Sequence, residues 1–177
     1  MKHHLNIIIL ALRAVITFAA GMILYYIGYA YLFISNDETA LIKDFFYDYF
    51  TPITSAVPDV NNKWFAIAFC VVYSALLVYA IVGVTRLCNC LISIRKGKMF
   101  YHTQGNEFRR AGSTFIIFAK SRYILFCTTA VLYFDVTIFF RQLPSFLLLY
   151  LLGKLILLLA HITEKGEFIQ EENELTI

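Results

Sequence analysis

Charge is what this chain has least of. Asp, Glu, Lys and Arg make up only 15% of its 177 residues, and hydrophobic residues make up 60%. A soluble domain would show about 25% and about 45–50%, so a water-soluble globular protein is excluded. Cysteine is scarce too. Cys70, Cys88, Cys90 and Cys127 sit in or beside apolar runs, without the spacing of a secreted disulfide framework. The C-x-C at 88–90, with His102 some distance on, lacks the four-ligand pattern of structural zinc, so the thiols read as small buried hydrophobes.

Catalytic signatures are missing as well. The sequence contains no HExxH, no Gly-rich phosphate loop, no Ser/His/Asp order with a recognisable elbow and no cluster of carboxylates. His3 and His4 stand near the start and His102 in a polar loop, and all three read as solvated. The expectation is a protein that is not an enzyme, with no catalytic, cofactor-binding or metal-binding residue to name.

What the chain does have is oil and aromatic rings. Aromatics reach 17%, which suits a surface facing lipid and headgroups. A helix needs about 20 mostly apolar residues to cross about 30 Å of hydrocarbon. Four segments qualify: 14–34, 64–85, 113–134 and 144–162. The opening MKHHLNIIILALRAVITFAAG resembles a signal peptide, but Arg13 splits its apolar stretch and hydrophobicity continues through Leu32, Phe33 and Ile34, so it reads as a retained first span.

Lys and Arg set the orientation. Residues 1–13, 86–110 and 163–177 carry nine of them, whereas the opposite side carries only Lys43, Lys63 and Arg141. The positive-inside rule then puts both termini in the cytoplasm, with an outer loop at 35–63, a cytoplasmic loop at 86–112 and a cytoplasmic tail at 163–177. YYIGYAYLF and Trp64 mark the outer interface. Between them, ETALIKDFFYDYF places Leu41, Ile42, Phe45, Phe46 and Tyr49 on one helical face, as expected of a helix lying on the outer leaflet. The third and fourth spans form a tight hairpin, with Pro144 expected in a first helical turn.

A signature follows alternate spans. RLCNCLISI runs into RKGKMF and AHIT runs into EKGEFI, each followed by Asn-Glu and an apolar residue: Asn106-Glu107-Phe108 and Asn173-Glu174-Leu175. Gly97 and Gly166 suit left-handed caps at helix C-termini, with Lys96 and Lys165 complementing the helix dipole. Residues 164–177 carry a net charge of −4 before the terminal carboxylate, and residues 86–110 carry +5. The two are expected to dock. Because exposed ion pairs contribute only about 0–1 kcal/mol each, Phe168, Leu175 and Ile177 opposite Met99, Phe100 and Phe108 are the expected apolar help, through a short strand pair.

These motifs, IRKGKMF with NEFRRAG and above all the terminal EKGEFIQEENELTI, resemble those of a bacterial membrane family catalogued as domain of unknown function 2975. The resemblance covers nearly the whole chain. Gly166, Glu172, Asn173, Leu175 and Thr176 match the family's ending, and Gly97, Phe100 and Arg109 match its loop element; Ile169 replaces a frequent Leu, and MFYHTQGNEF is less regular than the family's Pro-Phe-Thr-x-x-Asn. The family is similar to proteins often encoded beside small helix-turn-helix regulators. That likeness implies a membrane partner for a transcription factor.

Four groups fall at membrane depth: Lys120, Arg122, Lys154 and His161. A cation at mid-bilayer costs about 2.5–3.5 kcal/mol on insertion scales, so each is a functional candidate. Lys120 and Arg122 are about 200° apart around a helix and cannot share one interior face. Either one of them snorkels, or the third span starts near Tyr123 and runs to Phe140, leaving FRRAGSTFIIFAKSR as a basic interfacial helix. Lys154 and His161 share a face, and Gly153 suits a close helix approach.

The reading is an all-α membrane protein of a bacterial cytoplasmic (inner) membrane: four transmembrane helices in two hairpins with a short cytoplasmic coda. Its expected role is a non-enzymatic scaffold or sensor. It engages a cytoplasmic protein such as a helix-turn-helix regulator through 95–110 and 164–177, with the lipid bilayer and a second copy of the chain as further partners. Direct nucleic-acid binding is not expected, since the basic residues are few and lie beside a Glu-rich tail. The alternative is a small transporter or channel-like bundle using Lys120, Lys154 and His161.

Overall fold

The computed structural model describes residues 2–35, 39–50, 62–96, 104–134 and 137–175. It consists of α1 (Lys2–Ser35), α2 (Thr39–Phe50), α3 (Lys63–Arg95), α4 (Gln104–Tyr133) and α5 (Thr137–Leu175). All except α2 are long and apolar enough to cross a membrane, so the fold is all-α and fits a multi-pass membrane protein. Lipid offers no water to unpaired backbone groups, and a helix satisfies them internally. Polar side chains follow the same economy: the hydroxyls of Thr17, Ser74, Thr85, Thr129 and Thr163 each donate to the carbonyl one turn back.

α1 packs on α3, α3 on α4, and α4 on α5. The contacts fix the directions. Arg95 Nη1 donates to Asn6 Oδ1 at 3.0 Å, whereas Lys63 Nζ donates to the Ile34 carbonyl at 3.3 Å, so α1 and α3 are antiparallel. Arg109 meets Glu164, and Tyr123 Oη donates to the Phe139 carbonyl, so α4 and α5 are antiparallel too. The starts of α1 and α4 and the ends of α3 and α5 thus share one end of the bundle, called here the polar end. The opposite, aromatic end holds α2. Asn62 caps α3 there, its side chain accepting from the Trp64 and Phe65 amides at 3.0 and 3.3 Å.

Each end has its own core. At the polar end Val84, Cys90, Phe108, Ala111, Phe115, Ile156 and Ala160 pack together. At the aromatic end Tyr26, Phe33, Phe69 and Phe126 surround Ile42, Phe45, Phe46 and Phe50 of α2. The apolar face of α2 expected to rest on lipid is therefore buried against protein. The rings of α1, α3 and α4 are the better mate, for they offer edge and stacked contacts that acyl chains cannot.

Other expectations need correction. The tail is not a strand: α5 continues through Gly166 to Leu175, so Gly166 caps nothing. Glu, Lys, Gln and Leu around it are good helix formers, and one internal glycine costs only about 1 kcal/mol. Pro144 lies inside α5 rather than in its first turn, because α5 already begins at Thr137. The chain reverses between the end of α4 at Tyr133 and that start, so no span runs from Tyr123 to Phe140.

Candidate functional site

The polar end gathers charges from three helices. Arg109 Nη2 lies 2.6 Å from Glu164 Oε1 and 2.7 Å from its Oε2, a charge-assisted contact joining the first turns of α4 to the far portion of α5. Glu107 stands between two further guanidiniums, 4.0 Å from Arg86 and 3.7 Å from Arg110. The helices come close enough for this because of Gly105: a Cβ there would stand 2.6 Å from Glu164 Cγ. Past Glu164 the helix runs on to Leu175, about 16 Å at 1.5 Å per residue. α5 thus projects beyond the start of α4.

Beside the Arg109–Glu164 contact lies an open cleft of about 410 Å³, lined by His161, Glu164, Lys165 and Phe168. Phe168 is 61% exposed at its rim. The arrangement offers both signs of charge and an exposed ring to a partner. It is suited to recognition.

Of the motif residues read from sequence, Phe168 lines the cleft, Arg109 meets its wall through Glu164, and Gly166 lies in the same stretch of α5 without lining it. Glu172, Asn173 and Leu175 ride on its last turns. Gly97, Phe100 and Thr176, like the 99–100 half of the expected strand pair, lie outside the described residues. Glu164, the partner of Arg109, was not singled out by sequence reasoning, nor was Arg86, and Glu107 was read only as part of the repeated Asn-Glu signature. The opposed net charges of 86–110 and 164–177 were the available signal, but they do not say which residues meet.

A second group lies inside the bundle. Arg122 is half-buried and turned toward α5, donating to Ser145 Oγ at 2.9 Å with its guanidinium 5.1 Å from the Phe126 ring. A small void beside it is lined by Arg122, Gln142 and Phe146 among others. Lys120, two residues earlier, points elsewhere: its Nζ stands 6.0 Å from the Tyr150 ring. Lys154 Nζ reaches the same ring at 5.6 Å. The two lysines thus converge on one tyrosine. His161 lies apart from them, on the wall of the cleft. Gly153, beside Lys154, does serve a close approach: a Cβ there would stand 3.1 Å from the Gly112 carbonyl oxygen.

No family model, curated protein or solved structure matches this chain.

Proposed function

We propose that this protein is a non-enzymatic membrane scaffold or sensor whose polar end faces the cytoplasm of a bacterium and holds a soluble protein partner. The observation that carries the reading is the Arg109–Glu164 contact beside an open cleft with Phe168 exposed on its rim. α5 stays helical past Glu164 to Leu175, so its last turns are presented in a defined direction rather than as a loose tail. Their sequence is acidic, and the negative end of the helix dipole adds to that charge, so the matching partner brings a basic surface with an apolar group to cover Phe168.

A small helix-turn-helix regulator has such a basic surface, and the resemblance to domain of unknown function 2975 supports that choice. The probe is a small helix-turn-helix regulator with a basic surface. It should bind the protein reconstituted in vesicles and lose at least tenfold in affinity when the chain is truncated after Thr163 or carries Phe168→Asp, while the bundle still elutes as a folded species. Unchanged binding by both variants overturns the reading.

A further inference from the structure

We infer that the outward face of the α4–α5 pair receives a transmembrane helix of another protein, one that carries an Asp or Glu at mid-membrane depth, and that Lys120 and Lys154 hold that carboxylate. Both lysines are exposed, and both ammoniums lie against one ring, Tyr150, at 6.0 and 5.6 Å. Their depth follows from the helices. Lys120 is 10 residues from Arg110 and Lys154 is 10 from Glu164, which places both about 15 Å inward from the charged polar end. Toward the other end, Lys120 is 13 residues from Tyr133 and Lys154 is 13 from Arg141. The pair sits at the middle of the bundle's height.

The surface around them is hydrocarbon. Ile117 and Ile124 on α4 and Leu147, Leu151 and Leu158 on α5 share the helix faces of the two lysines, and all are exposed. Neither ammonium has a carboxylate within ion-pair distance among the described residues. From 113 to 163 the sequence contains a single acid, Asp135, which follows the end of α4, and the spans 14–34 and 64–85 contain no charge of either sign. On this face the described residues therefore offer two cations at mid-depth and no anion to answer them.

Other occupants fit less well. A lipid phosphate belongs outside the hydrocarbon, well short of this depth. A second copy of the chain would set lysines against lysines, with like charges opposed in a low dielectric. A hydrated free anion would have to pass a rim of Ile and Leu. A helix bearing one carboxylate answers both requirements: its apolar side covers the aliphatic residues, and its two oxygens accept from both ammoniums where water is absent. Small polar and charged contacts of this kind hold membrane helices together when lipid gives no hydrophobic drive.

The probe is a synthetic leucine-rich transmembrane helix with one central Asp, labelled with a dye and mixed with the labelled full-length protein in phosphatidylcholine vesicles. Energy transfer should show the Asp helix associating at least tenfold more tightly than otherwise identical helices with Leu or Asn at the centre. The preference should vanish in the Lys120→Leu, Lys154→Leu double variant. Because the Asp-to-Leu comparison is made on the unaltered protein, it stands even if that variant folds poorly. Equal association of the three helices overturns the proposal. So does transfer between two labelled copies of the protein that the Asp helix fails to displace, or an anion leak through the vesicles that Lys154→Leu abolishes, which would identify a conduction path instead.

Discussion

Gly112 of α4 and Gly153 of α5 lie back to back: a Cβ on Gly112 would stand 3.0 Å from the Gly153 carbonyl oxygen, and one on Gly153 would stand 3.1 Å from that of Gly112. Lipid gives helices no hydrophobic reason to associate, so close backbone approach of this kind supplies the adhesion. Gly83 does the same at the neighbouring α3–α4 interface, where a Cβ would stand 2.7 Å from Thr114 Cγ2. α4 is therefore gripped on two sides.

Replacing Gly153 by Leu should force α4 and α5 apart and cost about 1–3 kcal/mol, the usual penalty for overpacking. Thermal unfolding in detergent, followed by size-exclusion, reads this as a lower midpoint. Gly28→Leu is the matched control, since a Cβ at Gly28 meets nothing within 4 Å. Equal destabilisation by the two variants would show that the side chain's size, and not the α4–α5 approach, is responsible.

The Arg109–Glu164 contact should contribute little to stability despite its short distance. The two side chains are 59% and 31% exposed, and exposed pairs of this kind are worth about 0.2–1 kcal/mol. A double-mutant cycle with Arg109→Ala and Glu164→Ala should give a coupling in that range, fading in about 1 M salt, where the screening length falls to about 3 Å. A coupling that is large and insensitive to salt would mean that the pair is far drier than its exposure implies.

These contacts show where sequence reasoning reached and where it stopped. The four apolar helices were legible because lipid imposes length and composition residue by residue. The opposed charges of Arg109's loop and Glu164's tail were legible as totals, and their meeting point was not, since it depends on the register of α4 against α5. The same register hid the convergence of Lys120 on Tyr150, although the i, i+4 spacing of Tyr150 and Lys154 was in plain view. Gly166 misled for a local reason. Lys-Gly-x-apolar does suit a helix cap, but its helix-forming neighbours let the helix continue. For α2 the amphipathic face was readable, and what it packs on was not, because Phe69 and Phe126 come from distant spans.

Arg122 yields an asymmetric prediction. Its guanidinium donates to Ser145 at 2.9 Å, while its Nε is buried with no hydrogen-bond partner among the described residues. Ser145→Ala removes one acceptor from a charge that stays in place and should cost about 1.5–3 kcal/mol. Arg122→Met removes the charge itself, keeps the packing volume against Phe126 and should cost less, as apolar replacements of buried ionic groups usually do. Melting temperatures in detergent decide it. The reverse order would mean that the guanidinium makes a net contribution beyond its contact with Ser145.

α2 offers the sharpest test of what its apolar face covers. Phe46 is 0% exposed and lies 5.3 Å from Phe69 and 6.2 Å from Phe65, centroid to centroid, whereas Tyr47, the next residue, is 47% exposed. Phe46→Ala should open a cavity at the aromatic end and cost about 3–5 kcal/mol, the range for a buried Phe. Tyr47→Ala should fall within about 0.5 kcal/mol of the parent, as surface changes do. Limited proteolysis on the α2 side of sealed vesicles gives a second readout, because a loosened α2 exposes its backbone to cleavage while α1 and α3 stay protected by lipid. A helix lying on the leaflet would respond differently: Phe46→Ala would weaken its hold on lipid and leave the melting of the four-helix bundle unchanged. A melting temperature that falls only for Phe46→Ala therefore assigns the face to protein, and a melting temperature that moves for neither variant assigns it to the membrane surface.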